Sequence, residues 1–317
     1  MSEHMKILIA SDGSECADEA IESLRNAGFP PNTEALVMSV ADVILPPAIK
    51  EEDKFPPHEP EAVRRAHKRA EQKLRDAEEI AKRASQQIRE MFPEWQVRHE
   101  AVANSPAWAL IGKADEWKPD IVVLGARGHS VFGGRLILGS VSQRVLYQVS
   151  CSVRIAREPR RSADSLTRLL IGVDQSKDSN AAVEVVLNRH WPERTQVRLL
   201  AIVDTVMAVN TDPDQPGVMK WIEVSDEENW DQVRQIFEPL AERLRSAGLD
   251  TAVMIRRGKP ADEIVDEAES WGADCIFVGA KGVRGIERLL LGSVSSAVSS
   301  RAGCSVEVVR PVQSPDR

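Results

Sequence analysis

The chain has 317 residues, of which 42% are hydrophobic and 28% are charged, and its formal net charge is −8. This composition indicates a globular chain of about two domains and excludes the disordered and fibrous classes. The negative charge argues against a nucleic-acid or anionic-membrane surface, and no apolar run approaches the length of a bilayer span. The chain opens polar and without the pattern of a signal peptide, so we expect a cytoplasmic location.

The first half alternates predicted strands and helices. In chain order these are strand 6–10, helix 14–27, strand 34–41, helix 61–91, strand 96–103, helix 106–118, strand 121–125, helix 141–148 and strand 152–157. A proline-rich stretch, 43–60, separates the second strand from the long helix and is predicted to be a loop or flap. This alternation predicts a parallel sheet covered by helices on both faces.

The second half repeats the series. Its predicted strands are 168–173, 197–203, 250–256, 275–279 and 305–309, and its long helix is 226–247. Pro239 falls inside that helix and is expected to kink it or to displace the start of its regular part. The variable stretch 205–224 again follows the second strand, as a flap over the carboxyl ends of the strands would.

A glycine-rich segment recurs in both halves and marks a tandem repeat. Gly125-Ala-Arg-Gly128 with Leu138-Gly139-Ser140 corresponds to Gly279-Ala-Lys-Gly282 with Leu291-Gly292-Ser293. Each copy follows a buried apolar run and leads into a helical pattern. A repeat of this length indicates a duplicated domain, and we predict a first domain at 1–157, a linker at 158–166 and a second domain at 167–317.

The second glycine segment is predicted to bind phosphate. Gly279 and Gly282 would let backbone N–H groups approach a phosphate without a Cβ in the way. Gly292 and Ser293 begin the next helix, where Ser293 is expected to cap and to bond a phosphate oxygen, and Ser295 adds a further hydroxyl. The structural alternative is that glycines only permit a tight turn after a strand.

The first glycine segment has a different spacing from the second. Ten residues separate Gly128 from Gly139, whereas nine separate Gly282 from Gly292. The additional residue is either absorbed by Gly133-Gly134 or misplaces the backbone donors. The corresponding hydroxyls here are those of Ser140 and Ser142.

An aspartate ends the first strand of each half. Asp12 and Asp174 fit either a turn or N-cap role or, beside the glycine loop, a carboxylate that accepts ribose hydroxyls. At the end of the second strand, Val40 and Ile202 are candidates to offer backbone groups to an adenine, with side chains in the core. Arg127 and Lys281, inside the loops, are equally consistent with phosphate neutralisation and with surface solvation.

Together, the first-strand Asp, the Asn104-Ser-Pro and Gly258-Lys-Pro segments and the glycine pattern ending on Cys-Ser-Val resemble the universal stress protein family. The resemblance covers nearly the whole chain as a tandem pair. It implies an α/β fold with two doubly wound domains of the adenine nucleotide alpha hydrolase-like type, each with a five-stranded parallel sheet in the order 3-2-1-4-5. It also implies pairing of the two domains through their last strands, Val153-Arg-Ile155 and Val306-Glu-Val-Val309, and a further homodimer.

In the ATP-binding branch of that family, the resemblance implies adenine near strand two, ribose at the first-strand Asp and phosphates on the glycine loop. The implied second-half site consists of Asp174, Ile202, Gly279, Gly282, Gly292, Ser293 and Ser295. In the first half the loop is one residue longer and Asn104 stands in place of Gly258. The implied first-half site consists of Asp12, Val40, Gly125, Gly128, Gly139, Ser140 and Ser142.

The resulting functional hypothesis is a stress-response, ATP-binding regulatory protein that acts as a sensor with an unidentified regulatory protein partner. One alternative is a slow ATPase or nucleotidyl-transfer enzyme, although no Walker-type segment and no general base beside the loop support catalysis, and no catalytic residue is predicted. Another is a nucleotide-free dimerisation scaffold. The histidines and cysteines show no metal-ligand spacing, and Mg²⁺ is expected only as a companion of ATP, held through water by Asp12 or Asp174.

Overall fold

The computed structural model describes residues 5–43, 61–127, 138–158, 166–203, 206–210, 219–223, 227–282 and 291–311. The elements of the first half are β1 (Met5–Ala10), α1 (Glu15–Glu22), β2 (Thr33–Asp42), α2 (Glu61–Met91), β3 (Gln96–Asn104), α3 (Pro106–Trp117), β4 (Ile121–Gly125), α4 (Ser140–Gln148) and β5 (Ser152–Ala156). Those of the second half are β6 (Arg168–Val173), α5 (Lys177–Leu187), β7 (Gln196–Val203), β8 (Val206–Asn210), β9 (Met219–Glu223), α6 (Glu227–Ser246), β10 (Asp250–Arg257), α7 (Pro260–Trp271), β11 (Cys275–Gly279), α8 (Ser293–Arg301) and β12 (Ser305–Val309).

Ten strands form one continuous sheet in the order β10-β7-β6-β11-β12-β5-β4-β1-β2-β3. Within each half the pairing is parallel and the strand order is 3-2-1-4-5, so the predicted α/β fold class is confirmed. The two halves join through β5 and β12, which pair antiparallel. The pairing of the last strands within one chain is therefore a feature of the structure.

The two faces of the sheet are packed differently. On one face a single hydrophobic core runs across both halves and includes Leu8, Val145, Ile264 and Val298. On the other face each half has its own core, one around Ile7, Ile21 and Ile88 and the other around Leu169, Val183 and Phe237. The side chains of each strand contribute alternately to these two layers, because successive residues of a strand point to opposite faces of the sheet.

Several local features differ from the sequence prediction. Helix α1 starts at Glu15, one residue after Ser14, whose hydroxyl accepts the Ala17 N–H, and it gives way to a 3₁₀ turn over Ser23–Asn26. Part of the stretch predicted as a variable flap, 205–224, forms the antiparallel pair β8–β9. Most of the other predicted flap, residues 44–60, lies outside the described residues.

Helix α6 continues through Pro239, so the proline does not displace the start of the helix. None of the helices in the described part of the chain combines the length and the apolar character that a bilayer span requires.

Candidate functional site

The candidate sites lie at the carboxyl ends of the first and fourth strands of each half. In the second half β6 pairs with β7 on one side and with β11 on the other, and in the first half β1 is flanked in the same way by β2 and β4. After the first strand the chain continues to the neighbour on one side, and the fourth strand lies on the other side. Such a switch in strand order opens a crevice at the carboxyl edge, where ligands of open α/β sheets bind.

The first-strand aspartates both hold a turn. Asp174 Oδ1 accepts the Ser176 N–H at 3.0 Å, and Asp12 Oδ1 accepts the Ser14 N–H at the same distance. Ser176 then caps α5, since its hydroxyl accepts the Ser179 N–H at 3.1 Å. The turn role considered from the sequence therefore exists in both halves, and it occupies one oxygen of each carboxylate.

The other Asp174 oxygen faces the glycine loop. A Cβ placed on Gly282 would lie 2.6 Å from Asp174 Oδ2, and no other atom besides those of the Asp174 carboxyl group would come within 4 Å among the described residues. Gly282 therefore lies directly against this carboxylate, and a side chain at position 282 would require the Asp174 side chain to move. Its first-half counterpart, Gly128, lies outside the described residues.

Gly279 and Gly125 have a packing role that differs from the one expected. A Cβ on Gly279 would come within 2.6 Å of the Asp178 carbonyl carbon and the Ser179 nitrogen, and a Cβ on Gly125 within 2.5 Å of the Cys16 carbonyl oxygen. These two glycines are therefore required for close contact between the strand end and the first turn of α5 or α1. That close contact is enough to explain the absence of a side chain at both positions.

Gly292 and Gly139 close the loop onto itself. The Gly292 N–H donates to the Ala280 carbonyl at 2.7 Å, and the Gly139 N–H donates to the Ala126 carbonyl at 2.9 Å. Both N–H groups are therefore engaged in bonds within the loop. These bonds fix the position from which the following helix starts.

The four candidate serines divide into two pairs. Ser295 and Ser142 are buried, and their hydroxyls donate to the Ala280 and Gly125 carbonyls at 2.9 and 2.8 Å, so they tie the helix to the loop. Ser293 and Ser140 are exposed and are the first residues of α8 and α4. The expectation that Ser293 caps the helix is wrong, because Gly292 is the N-cap residue and no side chain caps the helix.

A residue that sequence reasoning missed lies against each loop. The Lys281 N–H donates to Asp178 Oδ2 at 2.9 Å, and the Lys281 carbonyl accepts from the Ser176 hydroxyl at 3.2 Å. Burial raises the pKa of Asp178 above its ordinary 3.8, against the lowering effect of the Lys281 N–H bond and of the positive charges of Lys281 and Arg310.

In the first half Cys16 takes the position of Asp178. The backbone N–H of Arg127 bonds to its sulfur, and burial is the main cause of a raised thiol pKa. Alignment of Asp12-Gly-Ser-Glu-Cys16 with Asp174-Gln-Ser-Lys-Asp178 would have paired these residues. It would not have shown that both reach a loop about a hundred residues further along the chain.

Backbone groups at the end of the second strand face the same crevice. The Ser11 N–H donates to the Met38 carbonyl at 3.0 Å, and pairing of β1 with β2 ends at Ala10 and Met38. Because backbone groups alternate sides along a strand, Val40 directs its N–H and C=O to the side of β1, beyond the last pair. Ile202 occupies the equivalent place in β7, and both side chains pack partly buried against the shared core.

Two further observations bear on ligands. The buried Nε2 of Gln175, in the turn between Asp174 and Ser176, has no hydrogen-bond partner within the described ranges. In the same ranges, no three His, Cys, Asp or Glu side chains are gathered as a protein-built metal site would need.

Comparison with known proteins gives a consistent result. The sequence model described as the Universal stress protein family matches residues 3–157 and again residues 166–310. A universal stress protein of Mycobacterium bovis is 27% identical over 324 residues, which covers 98% of this chain and 97% of that protein. One from Mycolicibacterium smegmatis is 30% identical over 227 residues, covering 68% of each chain.

Among solved structures, a universal stress protein from Archaeoglobus fulgidus superposes with a TM-score of 0.63 at 21% identity and covers 96% of both chains. A structure described as a putative universal stress protein from Pseudomonas aeruginosa gives a TM-score of 0.55 at 13% identity, covering 96% of this chain and 93% of its own. At these identities the two structures support the fold of the whole tandem chain.

Proposed function

Because the chain belongs to the universal stress protein family, a family of stress-response proteins, we propose that it is a regulatory protein that binds ATP at the carboxyl edge of each half. The observation that carries the proposal is the close approach of the glycine loop to the first-strand carboxylate, since a Cβ at position 282 would lie 2.6 Å from Asp174 Oδ2. Its position at the strand-order switch is the expected position of a nucleotide in this architecture.

Each part of the nucleotide has a group of matching chemistry nearby. The exposed Ser293 and Ser140 stand at helix starts that lack a side-chain cap, where the positive end of the helix dipole attracts phosphate. Asp174 and Asp12 offer a carboxylate to the ribose hydroxyls, and the backbone of Ile202 and Val40 offers a donor and an acceptor to adenine. Lys281 and Arg127 supply positive charge beside the loops.

Mg²⁺ fits the second-half site as a companion of ATP. Asp174 and Asp178 are close enough that the charge of Asp174 raises the pKa of Asp178. A triphosphate placed beside two carboxylates needs a cation to offset the repulsion, and hydrated Mg²⁺ with carboxylate and phosphate oxygens around it is the usual one. The first half has Cys16 in place of Asp178, so its dependence on Mg²⁺ is expected to be weaker.

The remaining parts of the proposal follow from the same assignment. We place the domains at 1–157 and 167–317, with the linker at 158–166 between them. The working form is a cytoplasmic homodimer whose regulatory protein partner reads the nucleotide state.

One observation favours a second candidate, a nucleotide-free scaffold. The Lys281 N–H is bonded to Asp178 and the Gly292 N–H to Ala280, so the loop satisfies two of its own donors. In a scaffold these bonds would persist. In a nucleotide-binding protein, a phosphate oxygen would have to compete with Asp178 for the Lys281 N–H.

Calorimetric titration of nucleotide-stripped protein with ATP and Mg²⁺ tests the proposal. We expect a stoichiometry near two per chain, falling to one in Gly282→Val because the new side chain fills the space beside Asp174. Gly112→Ala is the matched control, since no atom lies within 4 Å of a Cβ at that position. Absence of binding in folded wild-type protein would favour the scaffold, and single-turnover hydrolysis of bound ATP would favour the enzyme.

A further inference from the structure

A pair of opposite charges lies at the centre of the ten-stranded sheet. In the antiparallel pairing of β5 with β12, Glu307 lies directly opposite Arg154, and the register is symmetric about them: Val306 opposes Ile155 and Val308 opposes Val153. Arg154 is 2% exposed and Glu307 is completely buried. An approximate twofold axis between the two halves therefore passes through this pair.

These two residues occupy the same position of the repeat. Cys151-Ser-Val-Arg154-Ile aligns with Cys304-Ser-Val-Glu307-Val, so the first half carries a cation where the second carries an anion. Their neighbours Val153, Ile155, Val306 and Val308 all belong to the core shared by the two halves. Arg154 and Glu307 point to the opposite face, between the two separate cores.

The two buried charges form hydrogen bonds and ion pairs with residues of both halves. Arg154 Nη1 lies 3.5 Å from Glu307 Oε2 and donates to Cys275 Sγ at 3.3 Å. Arg189 pairs with both Glu307 oxygens, one of them at 2.9 Å, and donates to the Ala27 carbonyl of the first half at 3.0 Å. Burial raises the pKa of the Cys275 thiol to about 11, so at neutral pH it is an uncharged neighbour.

A second set of contacts across the junction is reciprocal: equivalent arginines of the two halves bond to equivalent carbonyls of the other half. Arg157 donates to the Ser299 carbonyl at 2.6 Å and to the Cys304 carbonyl at 3.3 Å. The equivalent residue Arg310 donates to the Leu146 carbonyl at 2.6 Å and to the Cys151 carbonyl at 3.0 Å. Each guanidinium thus binds one carbonyl in the last turn of the other half's last helix, where the helix dipole favours a cation, and one carbonyl in the segment that follows that helix.

The reciprocal arginines carry no information about which halves meet. Arg157 and Arg310 are the same residue type and bond to equivalent carbonyls. Their hydrogen bonds would therefore form in a pairing of two first halves, of two second halves, or of one of each. The residues on the axis distinguish these three cases, because each of them faces its own equivalent.

We propose that Arg154 and Glu307 are a charge code that restricts the last-strand edge to a partner half of the opposite charge. Two first halves paired through β5 would bring Arg154 against a second Arg154 with no Glu307 at the contact. Two second halves paired through β12 would bring Glu307 against a second Glu307, each bonded only to the Arg189 of its own half and without its Arg154 partner. Like charges buried at such a contact strongly disfavour the pairing. The edge therefore accepts a first half with a second half, and excludes pairing between like halves of different copies.

The test uses the full chain with a protease site introduced in the segment 159–165. After cleavage, native mass spectrometry follows the association of the two halves. We expect wild-type halves to remain as a one-to-one complex, and Arg154→Glu or Glu307→Arg to weaken the complex by about 100-fold or more, because each variant buries like charges. The double variant Arg154→Glu with Glu307→Arg keeps the total charge and is expected to recover most of the loss.

Exchange with isotope-labelled wild-type halves measures the choice of partner. The Arg154→Glu first half should move to the Glu307→Arg second half in preference to the wild-type second half, and complexes of two like halves should not form from wild-type protein. Arg154→Met is the control for burial, since it removes the cation but leaves Glu307 with Arg189. Equal affinity of the Arg154→Glu half for both partners would overturn the charge code.

If a variant's separated halves fail to fold, the stability of the uncut chain still tests the proposal. Unfolding midpoints of the uncut single and double variants form a double-mutant cycle. Recovery of the midpoint in the double variant supports the proposal, and losses that simply add overturn it.

Discussion

In the first half of the molecule the glycine loop is bonded to a sulfur, and in the second half it is bonded to a carboxylate. The Arg127 N–H meets Cys16, whereas the Lys281 N–H meets Asp178 Oδ2 at 2.9 Å. Sulfur is a weak acceptor that yields easily to a phosphate oxygen, and a carboxylate is a strong one that also repels it. The half with the shorter and more regular glycine spacing therefore has the more strongly occupied loop.

This difference shows that loop length and loop availability are separate properties. The glycine spacing decides where the backbone runs, and the residue at the first turn of the neighbouring helix decides whether a loop N–H is already taken. The turn after the first strand also differs between the halves. Gly13 and Gln175 both adopt a left-handed φ, of 73° and 63°, but only the glycine does so without strain. The two sites are thus expected to bind with different affinity and different dependence on Mg²⁺.

The largest expected effect separates structural from ligand-facing glycines within one loop. Gly279→Ala should destabilise the fold by about 3 kcal/mol, since the new methyl group meets the backbone of α5 at 2.6 Å. Gly282→Ala meets only the end of a side chain and should leave stability nearly unchanged while weakening ATP binding. Urea unfolding and calorimetric titration of both variants measure the contrast, and equal losses of stability would contradict it.

The next effect concerns the first-strand carboxylates. Asp174→Ala should weaken ATP binding by about 2 kcal/mol if Asp174 Oδ2 holds a ribose hydroxyl. Asp174→Asn is the matched control, because its amide oxygen can still accept the Ser176 N–H while the charge is lost. If Asp174→Ala binds ATP normally but unfolds at lower urea concentration, the residue serves only the turn.

A smaller change should exchange the properties of the two loops. Asp178→Asn is expected to raise ATP affinity in the second half about fivefold and to reduce its need for Mg²⁺, since a repelling charge is removed. Cys16→Asp should do the reverse in the first half. Titrations with and without Mg²⁺ measure both, and unchanged affinity in the two variants would show that the acceptor does not compete with phosphate.

Asp178 also predicts a pH dependence of the unliganded protein. Its pKa is raised in the folded state, so the folded protein binds more protons than the unfolded chain just above pH 3.8, and stability falls as pH rises through that window. Asp178→Asn should lack this component. The difference in unfolding free energy between wild type and variant, followed from pH 3 to 7, isolates it from other groups, and a difference that stays constant would refute it.

The smallest effect tests the strained turn. Gln175→Gly should stabilise the protein by about 0.5 kcal/mol, because relief of the left-handed φ of a non-glycine residue exceeds the entropy cost of glycine. Gly13→Gln should destabilise, since its Cβ also meets Ile80 at 3.1 Å. Thermal unfolding of the two variants measures this, and changes of the same sign would argue against strain.

Sequence reasoning reached most of the fold because its signals are local. Apolar runs such as Ile121–Gly125 mark buried parallel strands, and the i, i+4 pattern of Glu61–Met91 marks a covering helix. The repeat itself followed from matching segments, and the strand order followed from the family resemblance those segments carry. The ends of the helices and the β8–β9 pair could not be predicted in the same way. They depend on capping and on pairing partners, which the hydrophobic periodicity of the sequence does not reveal.

Within the site, the sequence identified the right loops but not the use of each residue in them. Gly279 and Gly282 look alike in the chain, yet one lies against the backbone of α5 and the other opens toward Asp174. Ser295 and Ser293 are two residues apart on one helix, yet one is buried and the other exposed. Which side of a turn faces the protein is set by the elements that pack there, not by the spacing.

By itself, the sequence determined that the chain is a duplicated α/β unit with a glycine loop and a first-strand aspartate in each copy. The tertiary structure decided that Asp178 and Cys16 reach those loops, and that Arg154 and Glu307 meet at the junction of the halves. These contacts join residues more than a hundred positions apart. Their energies arise from burial and charge at one point in space, which a pattern of neighbours along the chain cannot record.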